Sequence, residues 1–467
     1  MTDIQCSEVR PGLLVEWTLD AAAAVETATN LPEDSRPPSY AQETHVRTVR
    51  SVRENGLFMP TWLGTAFDMP GGVDLLVLQD ALRSWTLRHE TLRSGFRRVG
   101  DELRRFTLDA DAVSLRREVV GDFPDAEGLA QHLQHRFDAE TYALSWPNFI
   151  YAAVVRDDCT TVYMAFDHSN VDSYSMQRIP AEIHELCMVG GAEDRAVEET
   201  PIGSYVDFCE VERTDADQID ATHEVVARWR GFIGRCDGKL PNFPVDLGLD
   251  PSGELPTQQL LHEMIVGADD AAAFETSCRP FGGSMVGILA ATSLVVHKIG
   301  GVPVYRTVVP FHTRAKPEWR GSVGWYVGGA PIEIPVAQAP GFRSVLETVR
   351  TELRANRPLA RIPNARVLRL LGSDFHKTSP DMYSFVSFVD ARGIHGSERW
   401  AELKAYGLLR VSYGDKVCAW FNRLHEGLYF ACRYPDTDIA RKNMRLYVEQ
   451  MRQIIVSVAR NGLDAPF

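Results

Sequence analysis

One short segment of the sequence carries residues whose types and spacing could move a proton. His168 stands four residues before Asp172 in the run Asp-His-Ser-Asn-Val-Asp-Ser at positions 167–173. An imidazole has an unperturbed pKa of about 6.5 and can accept a proton at neutral pH, and a carboxylate four positions later could orient the loop. The same spacing also fits a histidine whose ring is satisfied by hydrogen bonds within the loop. The segment alone leaves both interpretations open.

The pattern of apolar residues predicts the elements that position this segment. Thr160–Phe166 is a short apolar run rich in β-forming residues and predicts a buried strand, and Tyr174–Met188 has helical character. The segment therefore lies between a buried strand and a helix, where a side chain can be presented to a cavity. Helices at Val73–His89 and Met285–Ile299 and a strand at Pro303–Pro310 indicate that both halves of the chain mix the two element types.

Other catalytic signatures are missing from the sequence. The run from Gly282 to Gly287 fails the G-x-S-x-G spacing of a nucleophile elbow by one position. His-Glu pairs occur at several positions, but none has the second histidine of a zinc protease helix. The His168 and Asp172 pair supplies too few ligands for a usual metal site. We therefore predict no metal site.

Composition and charge exclude further function classes. The 467 residues are 45% hydrophobic, which is typical of a globular protein. The formal net charge of -14 disfavours binding to nucleic acid or to an anionic membrane surface. The eight cysteines are scattered without a C-x-x-C pair, which indicates reduced thiols. The first residues lack a leader pattern and no apolar run is long enough to span a membrane. We expect a cytoplasmic protein.

Four further segments, together with His168 and Asp172, resemble those of a known family. They are Ser39–Gln42 against S-x-A-Q, Arg88–Phe96 against R-H-E-x-L-R-T-x-F, Tyr205–Phe208 against Y-x-D-F, and Val323–Val327 against V-G-x-F-V. With the family's H-H-x-x-x-D-G motif at 167–173, they occur in the family's order. The chain therefore resembles the condensation-domain family of thioester-dependent acyltransferases, whose relatives include chloramphenicol acetyltransferase.

The resemblance implies a role for each residue of the motif. His168 would be the general base, and Asp172 would orient the loop by pairing with an arginine, for which Arg314 is the candidate. The backbone N–H of Ser173 is a candidate donor to the oxyanion. The sequence departs from the family twice: Asp167 replaces the first histidine of the motif, and Ser173 replaces its glycine. We expect a functional but altered loop.

The resemblance also implies the fold and the division of the chain. We expect an α/β protein, an α+β sandwich, made of two chloramphenicol-acetyltransferase-like subdomains. They would be arranged as a V with the active site at their junction. The first, at 1–212, would carry the H-x-x-x-D motif, and the second would span 213–467. No cofactor is implied beyond the phosphopantetheine arm that carries the donor.

By resemblance, the chain is predicted to be a free-standing condensation enzyme. It would transfer an aminoacyl group from a peptidyl carrier protein, supplied in trans, to the hydroxyl of a small-molecule alcohol. Its overall likeness is to actinobacterial enzymes that esterify an enediyne antibiotic core. The alternatives are a glycolipid or polyketide-diol O-acyltransferase, an amide-forming enzyme, and a non-catalytic platform that docks carrier proteins. Nine arginines between Arg83 and Arg117 predict either a basic dock for an acidic carrier or a solvated, ion-paired face.

Overall fold

The computed structural model describes residues 2–20, 30–190, 202–250, 254–339, 341–380 and 383–464. Fourteen strands lie in these ranges. They are β1 Gly12–Leu19, β2 Trp62–Pro70, β3 Ser94–Val99, β4 Glu102–Thr107, β5 Leu115–Phe123, β6 Phe149–Val155, β7 Cys159–Asp167, β8 Gln258–Gly267, β9 Val304–His312, β10 Val327–Pro335, β11 Phe385–Asp390, β12 Tyr406–Leu409, β13 Cys418–Arg423 and β14 Gly427–Pro435.

Eleven α-helices lie in the same ranges. They are α1 Tyr40–Glu54, α2 Leu75–Arg88, α3 Ala126–Glu140, α4 Ser173–Gly190, α5 Tyr205–Asp217, α6 Glu224–Gly234, α7 Ala268–Cys278, α8 Ser284–Gly300, α9 Phe342–Asn356, α10 Asn364–Leu371 and α11 Asp438–Asn461. The predicted mixed α/β class is confirmed. The helices expected around residues 80, 180 and 290 correspond to α2, α4 and α8, and the two expected strands to β7 and β9.

The chain forms two compact units, and each is built from three separate stretches. The first unit comprises Met1–Gln218, Arg314–Tyr326 and Ile394–Arg410, and the second comprises Ile219–Thr313, Val327–Gly393 and Val411–Phe467. The division therefore differs from the expected one at residue 212 because two stretches of the C-terminal half belong to the first unit. One brings Arg314 to the residues around α4, and the other adds β12 to the edge of the first sheet.

The first unit is built on a six-stranded sheet in the order β12-β2-β7-β6-β1-β5, in which all neighbours are antiparallel. Every residue of β7 is buried. Val162, Met164 and Phe166 pack in the core layer that includes α2 and α4, whereas Tyr163 and Ala165 pack in the layer that includes α3. This alternation is the period of two of a β-strand, and it explains why β7 is apolar along its whole length.

The strand β7 and the helix α4 are joined by a tight connection. β7 ends at Asp167 and α4 begins at Ser173, so residues 168–172, called here the His168 loop, make the whole turn. The carboxylate of Asp172 accepts the backbone N–H of Ser175 at 2.8 Å, which satisfies one of the unpaired donors in the first turn of the helix. The buried strand and the capped helix thus hold the loop at both ends.

The second unit has its own six-stranded sheet, in the order β10-β9-β11-β13-β14-β8. β11 runs parallel to both of its neighbours, and the other pairs are antiparallel. The helices α7, α8, α9 and α11 contribute to one large apolar core, and α6 and α10 to a smaller one. In the described residues no single helix is long and apolar enough to cross a membrane. α7 and α8, with the turn after α7, meet that test only as a pair bent by 95°.

Candidate functional site

The imidazole of His168 is held so that one ring nitrogen is fixed and the other remains available. Its Nδ1 lies 2.9 Å from the carbonyl oxygen of Val171. A carbonyl oxygen can only accept, so Nδ1 carries the hydrogen and Nε2 carries the lone pair of the neutral ring. The ring is only partly exposed and stacks on the indole of Trp325, with 4.0 Å between the ring centroids. Nε2 is therefore the atom of this site that can accept a proton.

The environment of His168 keeps its ring neutral. Burial, and then the electrostatic effect of His45, lower the pKa of His168 to about 4. The carboxylates of Asp167 and Asp172 act in the opposite direction. At neutral pH the imidazole is unprotonated, as a base that must take a proton from a substrate requires.

Both carboxylate oxygens of Asp172 accept hydrogen bonds that hold the loop. Its two oxygens accept from both terminal nitrogens of Arg314, at 2.7 and 3.0 Å, and from the backbone N–H of Tyr326 at 3.0 Å. The backbone N–H and the hydroxyl of Ser175 each donate at 2.8 Å. Burial opposes ionisation, but these donors keep the pKa of the Asp172 carboxyl below its usual range. A carboxylate with five donors is suited to a structural role.

Arg314 is buried among groups that compensate its charge. Besides Asp172, its guanidinium donates to the Ser175 hydroxyl at 2.8 Å. It lies over the ring of Tyr326, 4.3 Å from the centroid, and over that of Tyr174, 4.7 Å from the centroid. The structure therefore places Arg314 against Asp172, where the resemblance implied a partner, and surrounds the pair with hydrogen bonds and aromatic faces.

Ser173 is the first residue of α4. Backbone N–H groups in the first turn of a helix have no partner within the helix, and the helix dipole favours negative charge there. Its side chain is engaged elsewhere, since the hydroxyl accepts from the Gln177 amide at 3.1 Å. The role of the Ser173 N–H as an oxyanion donor remains a prediction.

Two residues beside His168 were not singled out by sequence reasoning. His45, on α1, places its Nε2 3.0 Å from the carboxylate of Asp167, and its ring lies edge-on to Trp325 at 5.6 Å. Trp325 belongs to the Val323–Val327 segment, which the sequence analysis marked only as a family motif. A signal was present: Asp167 was expected at the end of a buried strand, and a buried carboxylate needs a partner. The partner lies 122 residues away, so no local pattern could identify it.

The Ser39–Gln42 segment supports the His168 loop from α1. Ser39 caps the helix, and its side chain and that of Gln42 bond reciprocally to each other's backbone N–H. The Gln42 amide also donates to the carbonyl of Ser169 at 2.9 Å. A segment that was recognised only as a family motif therefore braces the backbone beside His168.

The other family segments also have structural roles in the first unit. The Tyr205 hydroxyl donates to the Trp325 carbonyl at 3.1 Å, and a Cβ at Gly324 would collide with the Tyr205 ring. The backbone N–H of Val323 donates to Nδ1 of the buried His89 at 3.4 Å. These contacts fix the stretch that carries Trp325, so its indole is presented to His168 from a rigid backbone.

The nine arginines of the predicted carrier dock do not form one free basic face. Arg105 is buried and donates to the Gln42 side chain at 2.9 Å. Arg104 pairs with Glu33 and Glu102, and Arg93 donates to a backbone carbonyl. This pattern favours the alternative of an ion-paired face. Across the described ranges, no group of three or more His, Cys, Asp or Glu side chains is arranged to hold a metal ion.

Comparison with known proteins supplies independent findings. The chain matches the condensation-domain family over residues 62–388. It is 27% identical over 472 residues to the trehalose-2-sulfate acyltransferase PapA2 of Mycobacterium tuberculosis (strain ATCC 25618 / H37Rv), covering 97% of this chain and 96% of the relative. It is 26% identical over 474 residues to the acyltransferase PapA3 of the same strain, covering 97% and 95%. A solved structure of PapA2 acyl transferase has a TM-score of 0.90 at 24% identity, covering 98% and 99% of the two chains, which supports the fold.

Proposed function

We propose, from the premise that this chain belongs to the condensation-domain family, that it transfers an acyl group from a thioester to a hydroxyl of a carbohydrate-containing acceptor, forming an ester. The match over residues 62–388 confirms the resemblance noted in the sequence. The chain is therefore an acyltransferase, and condensation acyltransferases work without a cofactor. The ester, the acceptor class and the donor carrier are the proposed parts.

The observation that carries the proposal is the fixed tautomer of His168. With Nδ1–H donated to Val171, the lone pair on Nε2 can take the proton of an acceptor hydroxyl as its oxygen attacks the thioester carbonyl. The tetrahedral intermediate then collapses, the C–S bond breaks, and the leaving thiolate receives the proton from the imidazolium. The C–O bond of the ester replaces the C–S bond, and no acyl-enzyme is required.

The remaining residues of the motif have supporting roles in this proposal. The buried pair of Asp172 and Arg314 holds the loop so that Nε2 keeps its position. The backbone N–H of Ser173 donates to the oxyanion of the tetrahedral intermediate, where the N-terminus of α4 favours negative charge. Binding both substrates beside His168 adds the advantage of proximity.

The acceptor class rests on the relatives' names. PapA2 is named a trehalose-2-sulfate acyltransferase, and PapA1 of Mycobacterium tuberculosis (strain CDC 1551 / Oshkosh) a 2'-acyl-2-O-sulfo-trehalose (hydroxy)phthioceranyltransferase. These names favour the glycolipid alternative over the enediyne core that the sequence predicted first. We therefore propose a hydroxyl of a disaccharide or glycolipid as the acceptor.

The donor is proposed to be a thioester on the phosphopantetheine arm of a carrier protein. Condensation domains act on substrates held in this way. A peptidyl carrier acting in trans is one form of this donor, and an acyl carrier of lipid or polyketide synthesis is another. The relatives' acceptors favour the acyl carrier, since lipid chains are the usual acyl groups of glycolipids.

Product formation measured by mass spectrometry tests the proposal. Purified protein is incubated with one acyl group presented on an acyl carrier, on a peptidyl carrier or on coenzyme A. The pooled acceptors are trehalose, trehalose 2-sulfate, a polyketide diol, an enediyne-type alcohol and an amine. His168→Ala is run in parallel, and thermal unfolding shows that the variant is folded.

We expect a sugar ester that forms with a carrier-bound donor and disappears in His168→Ala. An amide as the main product would replace the ester assignment, and an enediyne ester would restore the first prediction. Equal product from both proteins would remove His168 from the mechanism. Carrier binding without any product would favour the docking platform.

A further inference from the structure

We propose that His45 is a positioning residue for the base: paired with Asp167, it holds the Trp325 indole against the His168 ring. His45, His168 and Trp325 are called here the ring cluster. The inference rests on the proposed function of His168, and it concerns what keeps that imidazole in place. It gives a role to the departure at Asp167, where the family motif has a histidine.

The ring cluster forms a compact triangle. The centroids of His168 and Trp325 are 4.0 Å apart with 25° between the ring planes, so the two rings are stacked. His45 stands edge-on to the indole at 5.6 Å, with 80° between the planes, and 6.2 Å from His168. An edge-to-face contact and an offset stack are the favoured geometries for aromatic pairs. His45 therefore supports the indole, and the indole supports the imidazole.

Asp167 anchors His45 to the loop. Its side chain is almost fully buried, and its two oxygens are used separately. One accepts the Ser169 backbone N–H at 2.9 Å, and the other faces Nε2 of His45 at 3.0 Å. A buried carboxylate without donors is costly, so the pair connects α1 to the end of β7 one residue before His168.

The pair of His45 and Asp167 also affects the pKa of His168. The titratable groups that act on the pKa of His168 are His45, which lowers it together with burial, and Asp167 and Asp172, which raise it. The carboxylate of Asp167 contacts His45 and also raises the pKa of His168. The pair therefore affects both the position of the imidazole and its basicity.

A second histidine–carboxylate pair in the same unit provides a matched control. His132, on α3, lies 3.2 Å from the buried carboxylate of Glu16 on β1, and its ring packs against Phe123 at 5.0 Å. Both pairs join a histidine to a buried carboxylate, although Arg136 also donates to Glu16 at 2.9 Å. The His132 pair lies in contact with β5, outside the ring cluster. Variants of His132 therefore measure how the loss of a histidine–carboxylate pair between a helix and a strand affects activity when the ring cluster is intact.

The test compares His45→Gln with His132→Gln. In both, the glutamine amide can still donate to the carboxylate, so both variants are expected to fold, and each loses its aromatic ring. For His45→Gln we expect kcat to fall by about 10- to 100-fold, the scale of a misplaced catalytic group, with KM changed less than about twofold. His132→Gln should keep the wild-type values of both constants.

Fluorescence provides a readout that does not depend on turnover. A protonated imidazole in contact with an indole quenches its emission. The chain has nine tryptophans, so the Trp325 signal is taken as the difference from a Trp325→Phe baseline and is followed as His168 is titrated with acid. We expect a quenching transition in the native sequence and in His132→Gln. Its absence from His168→Ala would assign the transition to His168 and not to His45, and we expect His45→Gln to lose most of its amplitude.

The two readouts separate the failure of this inference from the failure of the proposed function. If no acyl transfer is found with any substrate, the fluorescence titration still tests the ring cluster. An unchanged quenching transition in His45→Gln would overturn the inference, and so would equal losses of kcat in both glutamine variants. A lower kcat for His45→Gln together with a lost transition would support it.

Discussion

The interiors of the two units differ in what they bury, although each unit contains a six-stranded sheet with packed helices. The buried charged residues of the first unit are Asp3, Glu16, Glu43, Asp68, Arg105, Asp167, Asp172, Glu182 and Arg314. Among the described residues of the second unit, only Lys416 and Arg423 are buried and charged. Its main core is a single apolar cluster.

Part of this difference concerns the residues that hold the His168 loop. Buried charges stabilise a protein weakly and are costly when they lose a partner, so a core of apolar side chains would be the simpler way to stabilise a sheet. In the first unit, Asp167, Asp172 and Arg314 hold the His168 loop, whereas other buried charges pair elsewhere in the unit. We interpret these three buried charges as the means of fixing one imidazole, and the apolar core of the second unit as a source of stability.

The largest expected effect comes from the base itself. His168→Ala should lower kcat/KM by about 10²- to 10⁴-fold, the usual contribution of a general base. The melting temperature should change little, because the partly exposed ring makes a single hydrogen bond, to Val171. Steady-state kinetics and thermal unfolding measure the two effects. Retained activity would contradict this interpretation of the first unit, because its buried charges would then hold a loop that carries no general base.

The next effect concerns the buried ion pair. Asp172→Ala leaves the Arg314 guanidinium buried without its carboxylate, and we expect a loss of about 3–5 kcal/mol of unfolding free energy together with activity. Denaturant unfolding measures the first and turnover the second. The control is Asp172→Ala combined with Arg314→Ala, which removes both charges and should be less destabilised than the single variant. A fully stable but inactive Asp172→Ala would assign the carboxylate a direct chemical role.

A core variant in the second unit tests the other half of the comparison. Ile288 is fully buried in the apolar cluster, and Ile288→Ala should cost about 2–5 kcal/mol of unfolding free energy. Because the residue belongs to the second unit, kcat per folded molecule should stay at the native value below the melting transition. Circular dichroism and active-site-normalised kinetics measure these quantities. A selective fall in kcat would show that the second unit does more than stabilise the protein.

The smallest expected effect is that of pH near neutrality. The pKa of His168 is lowered to about 4, so the ring is already unprotonated at neutral pH and kcat/KM should change less than about twofold between roughly pH 6 and pH 8. Activity should fall only as the pH drops towards that pKa, because protonation of Nε2 removes the lone pair. A pH–rate profile with a step near the ordinary histidine pKa would show that the site is more hydrated than its packing indicates.

Much of the fold and part of the site could be predicted from the sequence. The run at 160–166 has the composition of a buried strand, and the structure contains β7 there with every residue buried. Loop and helix follow at the expected positions. A single boundary at residue 212 does not describe the two units, because Arg314–Tyr326 and Ile394–Arg410 also belong to the first one. Chain order alone does not reveal which unit a connecting segment joins.

The sequence by itself determined the element order, the position of His168 between a strand and a helix, and the family segments. Each of these is encoded locally, by the period of apolar residues or by a motif. Only the tertiary structure decided that His45 contacts Asp167 across 122 residues and that Trp325 stacks on His168. Arg314 was implied by the resemblance, and the structure showed its contacts with Asp172. Such contacts depend on how β7, α1 and the stretch at 314–326 pack, because packing brings together side chains that no spacing along the chain relates.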